Sequence, residues 1–96
     1  MKIYKYPLRV VDEQVINIPN INYLLDVQVQ KSEGGQPVLW AAIDKDYHHN
    51  NAVKIYIVGT GVEFENDFIN TSGKRYLCTF QLEGFVGHVF YEFLNV

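Results

Sequence analysis

The sequence predicts a mainly β domain, a small antiparallel, meander-rich barrel or sandwich of about seven strands with at most one short helical turn near residues 62–70. Three observations carry that expectation. Short β-branched and aromatic runs alternate with polar segments rich in Gly, Pro, Asn and Asp, which is how strands and turns punctuate a chain. With 96 residues, 48% of them hydrophobic and 20% charged, and with no linker, repeat or low-complexity run, residues 1–96 read as a single globular domain. An aromatic content of 15% then matters, because a chain of this length buries only roughly 60–68% of its unfolded surface, and aromatic side chains of about 150–250 Å² each supply core area that small domains lack.

Taken in order, Ile3 to Tyr6 opens as a strand that Pro7 should interrupt, since proline removes a ladder donor; that places it at an edge or a bulge. Gln14 to Ile18 follows, and the two strands can form a hairpin through Val10 to Glu13. Leu25 to Lys31 alternates, with Leu25, Val27 and Val29 on one face and Asp26, Gln28 and Gln30 on the other. The turn signal Ser32 to Pro37 leads into Val38 to Ile43, apolar on both faces and therefore central or covered. Asp44 to Asn51 reads as a polar loop, Val53 to Val58 as the next strand, and the two successive hairpins as a meander. From Gly61 to Lys74, Phe64, Phe68 and Ile69 have helical spacing, but Asn, Asp, Thr, Ser and Gly are weak helix formers, and a loop is the better reading. Arg75 to Leu82 and Val86 to Leu94 close the chain as a hairpin. In the last strand Gly87, Val89, Tyr91 and Phe93 share one face, and Val86, His88 and Phe90 the other. Both cannot face water, so the second needs cover from another layer, the long loop or a second subunit.

Eight basic against eleven acidic residues give a net charge of −3, which argues against direct nucleic-acid binding, a task that clusters Lys and Arg. Lone Cys78 cannot form an internal bridge and reads as a small buried apolar residue in a reducing compartment. No signal-like stretch opens the sequence and nowhere do 18 apolar residues run together, so the expectation is a cytoplasmic protein without a membrane span.

No residue set forms a catalytic signature. His48-His49 beside Asp44 and Asp46 invites a metal, yet nothing makes the four groups converge, and a solvated loop tip is the better account. Gly59-Thr60-Gly61 resembles a glycine-rich anion loop without the spacing, lysine and helix that a phosphate loop needs; a strand exit explains it. His88 has no nucleophile or orienting carboxylate at readable spacing and is expected to be held by a neighbouring carbonyl. The sequence thus predicts no enzyme, no cofactor and no metal. Tyr residues have apolar bodies and polar tips, as interfaces favour, whereas Trp40 is most simply core. The candidate binding or interface residues are Tyr4, Tyr6, Gln28, Gln30, Gly59, Thr60, Gly61, His88, Phe90 and Tyr91.

Ile3-Tyr4-Lys5-Tyr6, Val27-Gln28-Val29-Gln30 before a Gly/Pro turn and Leu39-Trp40-Ala41, Gly59-Thr60-Gly61 after an Ile-x-Ile strand, Thr79-Phe80-Gln81 and His88-Val89-Phe90-Tyr91-Glu92 occur in an order and spacing that resembles a family of small uncharacterised phage and prophage proteins. The similarity spans nearly the whole chain, departing in the longer Asp44 to Asn51 loop and in Gly61 to Lys74. The resemblance implies an accessory role in a host bacterial cytoplasm. The leading expectation is a homo-oligomeric, non-enzymatic binding protein that inhibits or modulates a host anti-phage defence protein by protein–protein contact. The alternatives are a sponge for a nucleotide immune signal near Gly59-Thr60-Gly61, where only Lys74-Arg75 offers paired cations, and a minor virion structural or assembly protein.

Overall fold

The computed structural model describes residues 1–31, 34–46, 51–65, 68 and 73–94. They form seven strands: β1 (Lys2–Pro7), β2 (Glu13–Asn17), β3 (Ile21–Gln30), β4 (Gln36–Ile43), β5 (Ala52–Gly59), β6 (Arg75–Leu82) and β7 (Phe85–Leu94). All pairings are antiparallel, in a three-stranded sheet ordered β1-β4-β3 and a four-stranded sheet ordered β2-β5-β7-β6. The arrangement is sandwich-like and not a closed barrel. Alternate residues of each sheet fill the space between them, with Val27, Leu39, Ala41, Val53, Ile55, Ile57, Phe80 and Val89 sealed in one core. None of the described residues belongs to a helix long and apolar enough to cross a membrane.

Two hairpins expected from the sequence do not form. Strands β1 and β2 lie in different sheets, as do β4 and β5. Leu8, fully buried, donates its N–H to the Pro37 carbonyl at 2.9 Å and so carries the β1–β4 ladder past Pro7 before the chain crosses over. Alternation of bonded and non-bonded pairs then puts Pro7, opposite Val38, where its missing N–H costs the ladder nothing. The crossing is closed by Gln14, whose buried amide accepts from the Arg9 N–H at 3.2 Å and donates to the Arg9 carbonyl at 2.7 Å. A glutamine side chain thereby satisfies backbone groups that a hairpin would have paired.

In β3 the predicted alternation holds at Val27 and Val29 but fails at Leu25, which is exposed. A register irregularity between Leu24 and Asp26 makes Leu25 the extra residue, so it turns outward. Trp40 is half-buried and not in the core, because it sits between Leu39 and Ala41 and faces the outside of its sheet beside Lys5 and Asp26.

Cys78 stitches the two sheets where edge strands β3 and β6 meet. The Val27 N–H donates to Cys78 Sγ at 3.2 Å, and the thiol donates back to the Val27 carbonyl at 3.6 Å. Burial pushes the thiol up to about 12, opposed by the bond from the Val27 N–H and assisted, to a lesser degree, by the hydrogen bond and charge of Asp26. At pH 8 the native protein should therefore react with a thiol reagent at least about a hundredfold more slowly than the urea-unfolded chain, since only the thiolate attacks; equal rates would show that the seam is open.

Gly87 is fixed by close approach. A Cβ there would lie 2.8 Å from Cε1 and Cζ of the buried Phe80 ring and 2.9 Å from Phe85 Cε2. Replacing Gly87 with Ala should lower stability in urea unfolding by about 1–3 kcal/mol, the cost of overpacking a filled core.

Candidate functional site

The outer face of the four-stranded sheet carries the site. Strand register lines up Tyr56, Phe90 and Tyr76 in one cross-strand row and Val58, His88 and Thr79 in the next. After β5 the chain turns at Gly61, whose φ of +85° is the left-handed conformation that favours glycine, and the Val62 N–H bonds back to the Gly59 carbonyl at 3.1 Å. It then folds over the first row. Phe68 lies in a helical turn, its N–H bonded to the Glu65 carbonyl at 3.0 Å, and its ring meets Phe90 and Tyr56 edge-on at 5.2 and 5.3 Å. Phe64 packs on Phe68 at 5.5 Å and Tyr76 on Phe90 at 5.6 Å. Phe90, though on the outer face, is only 6% exposed. The long loop thus provides the cover that the second face of β7 demanded.

Charges frame this cluster. Lys74 Nζ lies 4.9 Å from the Phe68 ring centre and 5.1 Å from that of Tyr56, with Lys54 Nζ 5.2 Å from Tyr56. The Tyr56 hydroxyl donates to the Glu92 carboxylate, and its pKa is raised well above the usual phenol range by burial first, then by that bond and by the charges of Glu92 and Glu13. Lys54 also pairs with Glu13 at 3.3 Å.

Along the second row runs a chain of four polar groups. Tyr76 OH lies 2.7 Å from Thr79 Oγ1, Thr79 Oγ1 lies 3.0 Å from His88 Nδ1, and His88 Nε2 lies 2.7 Å from Thr60 Oγ1. Threonine hydroxyls, not the expected carbonyl, hold the imidazole. Hydroxyls donate as well as accept, so either neutral tautomer is satisfied. A hydroxyl–imidazole pair of this kind is the start of a nucleophilic dyad, but the second ring nitrogen rests on Thr79 in place of an orienting carboxylate. Beside the chain opens a groove of about 250 Å³ walled by Phe64, Tyr76, Phe90 and Val62, with Thr60 and His88 at its polar side. On the far side of the Val62–Phe64 strap lies a second groove of about 380 Å³, bordered by Asp12, Glu13 and Glu63.

Of the residues singled out from sequence, Gly59, Thr60, Gly61, His88 and Phe90 meet in the first groove. Tyr91 faces the opposite way, into the sandwich, its ring 5.5 Å from Phe93. Tyr4 and Tyr6 belong to β1 in the other sheet, where Tyr6 packs half-buried on the core and burial raises its hydroxyl pKa. Gln28, also in that sheet, donates to the Asp26 carboxylate at 3.3 Å. The amide oxygen of half-buried Gln30 has no hydrogen-bond partner among the described residues. Gly59 serves packing, since a Cβ would come within 3.1 Å of Phe85. The Thr60 N–H is bonded to the Val86 carbonyl at 3.2 Å and so does not aim at an anion. His48 and His49 lie outside the described residues; among those described, no three His, Cys, Asp or Glu side chains gather around a possible metal position.

Tyr76 was one of several amphipathic tyrosines suited to an interface, but Thr79 and its meeting with Tyr76 were not evident from sequence. Three residues apart in a strand, they should point to opposite faces, but an irregularity between Tyr76 and Cys78 shifts the register and brings them together. For Phe64 and Phe68 the signal was present, in their spacing of four.

The match to the family model extends over residues 1–95. The chain belongs to DUF7352, a domain of unknown function. No curated protein and no solved structure is significantly similar to this DUF7352 chain.

Truncating Phe90 to Ala removes the ring that Phe64, Phe68 and Tyr76 all touch. The expected loss is about 3–5 kcal/mol in urea unfolding, the range for a buried phenylalanine. A loss near zero would mean that the strap does not cover this face in solution.

Proposed function

We propose that this DUF7352 domain is a phage-encoded accessory binding protein without enzymatic activity, which inhibits or modulates a host anti-phage defence protein by protein–protein contact in the bacterial cytoplasm. The observation that supports contact with a protein is a pair of large apolar side chains left open on the outer face of the three-stranded sheet, on either side of buried Ala42. Ile3, Ala42 and Tyr23 lie opposite one another across β1, β4 and β3, with Ile3 61% and Tyr23 59% exposed. Open apolar surface of this kind marks interaction sites in small soluble domains. Strand β1 is also an edge of its sheet among the described residues, and edges pair with added strands. The same edge offers a route to a homo-oligomer.

A second reading, capture of a nucleotide signal, draws support from the groove beside Thr60 and His88. Among the described residues its lining holds no cation, so phosphate recognition draws no support from them.

The contact reading is tested with an Ile3→Asp, Tyr23→Asp double variant. Both positions are mostly solvated, so melting temperature should stay within a few degrees of wild type while stoichiometric binding to the host defence target falls by about a hundredfold or more, as for central interface anchors. Unchanged binding by the folded variant would exclude this surface. Light scattering that returned only the 11.1 kDa monomer at micromolar concentration would exclude the oligomer.

A further inference from the structure

The geometry points to the groove beside Thr60 and His88 as a recognition site for an uncharged, planar nitrogen heteroaromatic ring of the nucleobase kind, held by its faces between aromatic side chains and read at its edge by a reversible hydrogen-bond chain. The inference rests on the nucleotide reading and narrows it, because it assigns recognition to the ring and not to the phosphates.

Three features select that ligand. The first is size. At about 250 Å³ the groove lies just below the usual range of drug-sized ligand sites, room for one ring system and not for a complete dinucleotide. The second is the wall chemistry. Tyr76 is 55% and Phe64 47% exposed, although each packs against Phe90. Two aromatic side chains with open surface, flanking a floor of Phe90 and Val58, give a planar ring something to stack on. Among the described residues the lining contains no Asp, Glu, Lys or Arg, so none of them offers a carboxylate or a phosphate a counter-charge.

The third is the polar edge. Thr60 Oγ1 is solvent-exposed and bonded to His88 Nε2, and the chain continues inward through Nδ1 to Thr79 and Tyr76. When Thr79 donates to Nδ1, Nε2–H donates to Thr60, whose own O–H is then free to donate outward. When Nδ1–H donates to Thr79, Thr60 donates to Nε2, and its remaining lone pair is free to accept. Tautomeric exchange therefore turns one exposed hydroxyl into a donor or an acceptor without moving a heavy atom. A nucleobase edge presents both acceptors (a ring nitrogen or a carbonyl) and donors (an exocyclic amine or a ring N–H), and this chain can meet either. A purely apolar ring makes no use of it.

The probes are adenosine, guanosine, cytidine and uridine, which carry the ring without phosphate, followed by NMR of the Thr60 and Gly61 amides and the His88 ring. The expected result is saturable shifts at those positions with at least one nucleoside. Affinity should weaken by about fivefold or more in Tyr76→Ala, as loss of one stacking partner predicts, and by a similar factor in Thr60→Val. Both side chains are exposed, so the variants keep the fold. Thr79→Val, which cuts the chain behind the imidazole, should change the His88 ring nitrogen shifts and weaken binding while leaving the Tyr76 wall in place. Absence of shifts up to the solubility limit overturns the proposal, as does equal binding of phenylalaninamide, which would mark the groove as a pocket for a partner protein's aromatic side chain. Binding of nucleoside phosphates without binding of nucleosides would overturn the ring site and leave nucleotide capture standing.

Discussion

Strand β7 has no face to give to water. Val89, Tyr91 and Phe93 point into the sandwich against Ile57, Ile55 and Val53, and Gly87 keeps its side of the strand bare so that Phe80 and Phe85 can close over it. On the other side Phe90 requires cover as fully as any core residue. A seven-stranded domain with only two layers cannot supply a third sheet, so the chain between β5 and β6 folds back and provides it through Phe64 and Phe68. The rest of the four-stranded sheet follows from this arrangement, including where its grooves lie.

The strap covers the Phe90 row and stops short of the His88 row. That boundary leaves an aromatic wall beside a line of hydroxyls and an imidazole. Tyr56 shows the contrasting solution at the covered end, where burial and the Glu92 carboxylate hold the phenol protonated and Lys54 and Lys74 lie over its ring. Charge thus fastens the strap, and the hydroxyl–imidazole chain from Tyr76 to Thr60 is left at the open end. The opposite sheet contributes a different kind of surface, where Ile3 and Tyr23 stand exposed on either side of Ala42. One small domain therefore presents two unlike surfaces on its two outer faces.

Strand content, the β3–β4 and β6–β7 hairpins, the edge position of β1 and the two-sided demand of β7 were legible in the sequence, because period-two alternation and turn residues are local properties. The sequence also placed Gly59, Thr60, Gly61, His88 and Phe90 among its candidates, and these converge. Sheet membership was not legible: that β1 leaves β2 for β4 is decided by buried Leu8 and by the Gln14 amide closing the crossing, neither of which alters the pattern of apolar residues. Nor was the polar chain, since alternation assigns Tyr76 and Thr79 to opposite faces and only the register shift in β6 unites them. Periodicity thus determined which segments become strands and which faces seek burial. Which strands pair, what covers Phe90 and which hydroxyls reach His88 were decided by long-range packing, because those outcomes depend on shifts of a single residue that leave composition and spacing unchanged.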